Sequence, residues 1–136
     1  MTEIAKKING QNPAYLPALT LAYIGDAVYE VAVRKHLIEN GLAKVDNLHK
    51  AAIRYVSAQA QADFMHSIED SLDEVEAGVY HRGRNAKGQH NPKNTSITVY
   101  KVATGLEALV GYWHLTDAED RLQWFFDKLW AFAQQP

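Results

Sequence analysis

Two acidic residues in this chain stand where an acidic residue is expensive. Asp26 lies within Leu21-Ala22-Tyr23-Ile24-Gly25-Asp26-Ala27-Val28-Tyr29-Glu30-Val31-Ala32-Val33, and Glu107 within Thr104-Gly105-Leu106-Glu107-Ala108-Leu109-Val110-Gly111-Tyr112-Trp113. Both stretches are nearly all apolar. A lone ionised carboxylate in such surroundings is costly unless it is paired or bound to a metal. Two that met would repel unless a cation lay between them. Mg²⁺ takes only one or two protein carboxylates and keeps several waters, so Asp26 and Glu107 are enough for a Mg²⁺ site. Such a site can turn water into a nucleophile and stabilise charge growing on a phosphate. Gly25, Gly105 and Gly111 flank the two acids, and a glycine inside a helix costs about 1 kcal/mol relative to alanine. They admit two readings. One is close helix-helix packing, with the acids capped or salt-bridged; the other is room beside each acid for a ligand.

A second constellation is basic. From Ala77 to Leu106 there is no acidic residue, while Arg82, Arg84, Lys87, Lys93 and Lys101 are all present, with His81 and His90 adding charge at lower pH. Its middle, Gly83 to Pro92, is rich in helix breakers and reads as a loop. Either it is a solvated surface loop balanced by the preceding acidic helix (Glu69, Asp70, Asp73, Glu74, Glu76), or it contacts phosphates. In the second case Arg82, Arg84, Asn85, Lys87 and Lys93 are the side chains that would hold a nucleic-acid backbone. Other candidates read as structural. Glu30 is placed to pair with Arg34 along a helix. The six histidines show no HxH or HxxxH spacing, which argues against zinc. Trp113, Trp124 and Trp130 suit a core or a dimer interface better than a base-stacking platform.

Helices must position these groups. With 136 residues, 47% hydrophobic and a formal charge of −2, the chain suits a single globular domain over 1–136, and its global charge gives no support to nucleic-acid binding. It has no cysteine, which excludes disulfides, thiol nucleophiles and cysteine-based zinc sites. No apolar run approaches the ~18 residues of a membrane span, and the first residues show no apolar signal region, so a cytoplasmic protein is expected. Apolar periodicity predicts a first helix over 17–40, stopped by Gly41. A second runs over 47–66 with Asp46 as N-cap, and a third, acidic one over 68–80. A fourth covers 97–115, capped by Thr95 or Ser96. The last covers 117–134, opened by the capping signature Thr116-Asp117-Ala118-Glu119. The class is all-α, with five or six helices and no convincing strand.

The residues around Asp26 and Glu107 resemble a known pair of motifs. Leu21 to Glu30 is similar to the ribonuclease III signature L-E-F-L-G-D-A-V-L-E, and Glu107-Ala108-Leu109-Val110-Gly111 to that family's second motif, E-A-L-I-G. The order is right and the resemblance covers almost the whole chain. Arg82-Gly83-Arg84-Asn85 and Pro92-Lys93-Asn94-Thr95, with no room for a separate RNA-binding domain, look like the bacterial Mini-ribonuclease III subfamily. The resemblance implies an all-helical homodimer that cleaves double-stranded RNA with Mg²⁺, leaving 5′-phosphate and 3′-hydroxyl ends. It implies Asp26 and Glu107 as metal ligands and the 23S ribosomal RNA precursor as substrate, and it admits a ribosomal protein as a further partner. The chain departs from the pattern at Ala22 and Thr104, where the family has acids, and Asp46 is the nearest counterpart of a remaining one. Those losses keep an alternative open: a non-catalytic helical RNA-binding module of a ribosomal assembly. A helical interaction protein with no RNA role is a third reading, against which the acid-free basic segment speaks.

Overall fold

The centre of the molecule is a helix that is apolar on every side. The computed structural model describes residues 6–87 and 95–134, and its six helices are α1 (Ala18–Glu39), α2 (Val45–Val56), α3 (Ala58–Ile68), α4 (Glu74–Arg84), α5 (Ile97–Leu115) and α6 (Glu119–Ala133). A helix that is hydrophobic all round belongs inside a protein. Accordingly α5 buries Val102, Ala103, Leu106, Ala108, Leu109, Val110 and Trp113 and packs against α1, α3, α4 and α6. Tyr29 and Val33 of α1, Phe64 and Met65 of α3, Tyr80 of α4 and Phe125 of α6 complete the main core. Among the described residues there is no strand, only an isolated bridge between Ile8 and Gln11.

Glycine sets how closely α1 and α5 approach. A methyl group on Gly25 would overlap the Glu107 carbonyl and stand 2.8 Å from the Gly111 backbone nitrogen; one on Gly111 would overlap the Leu21 carbonyl. The two backbones are in direct contact there. These glycines therefore serve close packing of the helices. The α4–α5 crossing works alike, since a methyl on Gly83 would lie 2.9 Å from the Gly105 Cα.

Several boundaries differ from expectation, each for a local reason. The helix expected over 47–66 is two helices, because the Ser57 hydroxyl accepts a bond from the Ala60 amide at 3.1 Å and starts α3 afresh. Asp46 is not an N-cap: Lys44 holds that position and Asp46 sits in the first turn of α2. The acidic helix begins at Glu74, where Asp73 and Glu76 form a reciprocal capping box, and it runs on to Arg84. Arg82, Gly83 and Arg84 are thus the last turn of α4 rather than loop. Thr116 does not cap α6; its hydroxyl donates back to the Tyr112 carbonyl at 2.8 Å, and Asp117 takes a left-handed φ of 54° in the turn between α5 and α6. The helix 97–115 stands as expected, with the Ser96 hydroxyl as its cap. Gly41, at φ 99°, stops α1 in the conformation that favours glycine. The tryptophans are structural. Trp113 is buried, the Arg121 guanidinium lies over Trp124 at 4.3 Å, and Trp130 stacks on His36 at 3.8 Å.

Candidate active site

The glycine crossing puts both acids at one place. Gly25 and Asp26 are neighbours on α1, and the Gly25 backbone touches the Glu107 backbone of α5. Asp26 is exposed, whereas Glu107 is half-buried. The two carboxyls are close enough for the Asp26 charge to act on Glu107. Burial pushes the Glu107 carboxyl up to about 8; the adjacent Asp26 and the more distant Glu30 add to the rise. Among the described residues neither acid is in an ion pair, and no lysine or arginine neutralises them.

The surroundings of the pair are mostly committed elsewhere. Glu30 pairs with Arg34 at 3.3 Å along α1, as its spacing suggested. The Tyr29 hydroxyl donates to the Tyr55 carbonyl at 2.6 Å, and burial, followed by the Glu107 charge, makes it harder to ionise. Thr104 is buried and its hydroxyl donates to the Tyr100 carbonyl at 3.0 Å, so it does not stand in for an acid. Ala22 is buried and has nothing to offer a ligand. Among the described residues no three His, Cys, Asp or Glu side chains converge on one metal-sized site. The fit to a metal is nonetheless good: two hard oxygen donors, one half-buried and both without a protein cation, leave a negative charge that one divalent ion with bound waters would offset.

Sequence reasoning missed one participant, Gln61. It is only 3% exposed, and its influence on Glu107 opposes the upward shift there. The available signal was a polar residue in register with the buried Phe64, Met65 and Ile68.

The basic residues divide. The Arg82 guanidinium donates to the Ala14 carbonyl at 2.7 Å, tying the segment before α1 to α4. Arg84 lies 6.0 Å from the Tyr80 ring centre. Asn85 is the C-cap of α4, and Lys87 is exposed two residues on. Lys93 lies outside the described residues. The acidic helix does not simply balance these cations. Its Glu76 turns inward and accepts from Arg121 Nε at 2.7 Å, from Arg121 Nη2 at 2.9 Å and from Trp113 Nε1 at 2.8 Å.

Similarity to known proteins agrees with this geometry. The ribonuclease III domain family matches residues 19–118, which include both acids. The chain belongs to the ribonuclease III family, in its Mini-ribonuclease 3 branch. It is 55% identical to the Mini-ribonuclease 3 of Desulfitobacterium hafniense over 85% of this chain and 73% of that one. It is 43% identical to the Mini-ribonuclease 3 of Brevibacillus brevis over 97% and 95%. A crystal structure of a Fusobacterium nucleatum protein superposes with a TM-score of 0.76 at 29% identity, covering 81% of this chain and 89% of that one. The activity is accordingly that of an endoribonuclease acting on double-stranded RNA, in a family that uses a divalent metal.

Proposed function

We propose that this chain hydrolyses double-stranded RNA with Mg²⁺ held by Asp26 and Glu107, as a homodimer acting on the 23S ribosomal RNA precursor. The single observation that carries the metal assignment is the meeting of two carboxylates with no protein cation beside them. A binder of polyanions gains nothing from such a pair, which would repel the RNA it must hold. This weighs against the non-catalytic RNA-binding reading. When bound, Mg²⁺ supplies an ionised water at neutral pH and offsets charge on the phosphate.

The protein's own groups do the rest. Asp26, exposed, and Glu107, half-buried, would hold the ion. The α1–α5 contact excludes water from the buried side. Arg84, Asn85 and Lys87 at the end of α4, with Lys93 beyond, hold the duplex by its phosphates. They act through shape, because side chains cannot read the deep RNA major groove. Arg82 belongs to the same cluster and also anchors the Ala14 carbonyl. The homodimer is supported by an apolar stripe that α1 leaves uncovered, Leu19, Tyr23 and Val31, with Tyr23 83% exposed. A ribosomal protein fits as an additional partner on the precursor. Among the described residues no helix is long and apolar enough to cross a membrane, and a cytoplasmic location suits the substrate.

The test is a gel of double-stranded RNA incubated with the protein, with and without Mg²⁺. Cleavage to 5′-phosphate ends that stops on chelation is the expected result. Binding without cleavage at any Mg²⁺ concentration would favour the non-catalytic module.

A further inference from the structure

Ahead of α1 the chain makes a short 3₁₀ turn, Pro13–Tyr15, that is held from several sides. The Asn12 side-chain oxygen accepts from the Ala14 amide at 3.0 Å, and Pro13 presets the first residue of the turn. Pro13 and Ala14 are buried. Ala14 belongs to a small apolar cluster with Leu21, Ala22, Val79 and Ala108, so α1, α4 and α5 all support the turn. A tether from α4 completes the support: the Arg82 guanidinium donates to the Ala14 carbonyl at 2.7 Å. Side chains on a helix lean toward its N-terminus, so Arg82 lies over position 78, one turn earlier. That position is glycine, and a methyl there would stand 3.3 Å from Arg82 Nη1. The guanidinium is thus laid back along α4 to reach the turn.

This fixed support carries Tyr15, whose ring is 80% exposed although the two residues before it are buried. A large side chain on a backbone already ordered loses little freedom when it binds. Its location is informative. Ala22 stands one helical turn before Asp26, and Ala108 directly follows Glu107, so the cluster beneath the turn adjoins both acids. A duplex with a phosphate at those acids extends over the protein well beyond one helical turn, about 5.4 Å. Bases inside a duplex are stacked on one another and offer no face to the ring. The wide, shallow minor groove of RNA does offer 2′-hydroxyls, and a phenol can donate to them or accept from them.

We propose that Tyr15 binds a 2′-hydroxyl of the duplex, favouring RNA over DNA, and that Arg82 is the positioning residue that holds Tyr15 in place through the Ala14 carbonyl. The inference rests on the double-stranded RNA reading and deepens it. It gives Arg82 a task unlike that of Arg84 and Lys87: its charge is spent on the protein backbone, and it reaches the substrate through Tyr15.

The test compares the wild type with Tyr15→Phe, Arg82→Met and the double variant. Binding to RNA and DNA duplexes of one sequence is measured in chelator, so that no strand is cut, across a range of salt. Oligomeric state and steady-state cleavage are measured beside it. Tyr15→Phe, which removes one exposed hydroxyl, is expected to weaken RNA binding about three- to tenfold and leave DNA binding unchanged. KM should rise by a similar factor with kcat near wild type. Arg82→Met should weaken RNA binding at least as much without changing the slope of affinity against salt, and the double variant should be no worse than Arg82→Met alone. Unchanged RNA affinity in Tyr15→Phe would overturn the proposal, as would equal losses for RNA and DNA. A salt slope lowered by about one in Arg82→Met, or losses that simply add in the double variant, would make Arg82 a direct phosphate contact instead. Loss of oligomer in Tyr15→Phe would place the ring in a subunit junction and equally refute it. Failure of the RNA reading itself looks different, for then the wild type binds neither duplex.

Discussion

Glu76 and Glu107 are both acids turned into the interior, and the protein treats them in opposite ways. Glu76 is 4% exposed and fully satisfied: Arg121 grips it through two nitrogens, Trp113 donates to it, and the Asp73 backbone amide completes the set. Burial alone would raise its carboxyl, but the Arg121, Asp73 and Trp113 hydrogen bonds outweigh that and hold it below the usual carboxylate range. Glu107 has no cation and a second acid beside it, and its carboxyl is pushed far up. A buried acid given its own counter-ion is part of the scaffold. A half-buried acid left without one, facing another acid, is where the proposed ion would sit. The difference separates structure from function within one fold.

The largest way to break the contrast is to separate the helices that bring Asp26 and Glu107 together. Gly25→Ala puts a methyl into the Glu107 backbone, which cannot retreat as a flexible side chain could. The expected cost exceeds about 4 kcal/mol, read as loss of the folded state in urea or thermal unfolding; a folded variant with intact Mg²⁺ affinity would contradict the crossing.

Next in size is the scaffold side. Arg121→Met leaves Glu76 buried without its cation and should cost about 3 kcal/mol of stability. Cleavage per folded molecule should stay near wild type. Denaturant unfolding and kcat on the same preparation separate the two.

The smallest effect is the sharpest in sign. In chelator, Glu107 titrates at about 8 in the folded state and near the ordinary carboxylate value of 4.5 when unfolded. The folded protein holds the extra proton between those values, so stability present at low pH is lost as pH rises through 8. Glu76, with its depressed value, does the reverse: its contribution is present above the ordinary carboxylate value and is lost as pH falls through the depressed one. Glu107→Gln should therefore flatten the fall of melting temperature between about pH 4.5 and pH 8 and leave the profile above pH 8 unchanged in slope. A variant profile parallel to the wild type between about pH 4.5 and pH 8 would refute this assignment.

How legible all this was in the sequence depends on range. The helix 97–115 is readable because its apolar residues cover every face and Ser96 marks its start. Asp26 and Glu107 stand out because each is an acid in an apolar run, and their spacing in two known motifs joins them. The break at Ser57 is hidden, since Tyr55-Val56-Ser57-Ala58 contains neither glycine nor proline and the cap is a single hydroxyl. Glu76 looks like one acid among five; its role depends on Arg121, 45 residues later, and on Trp113, and no local pattern reveals such a partner. Gln61 is the same case, a residue whose meaning appears only when α3 lies against α5.

The central claim is that Asp26 and Glu107 bind one divalent ion and thereby cut RNA. It is tested most directly by kcat for Asp26→Asn and Glu107→Gln on double-stranded RNA with saturating Mg²⁺, each variant checked to be folded by a cooperative melting transition. The account predicts a fall of at least about a hundredfold for each. Cleavage near the wild-type rate by either folded variant would contradict it.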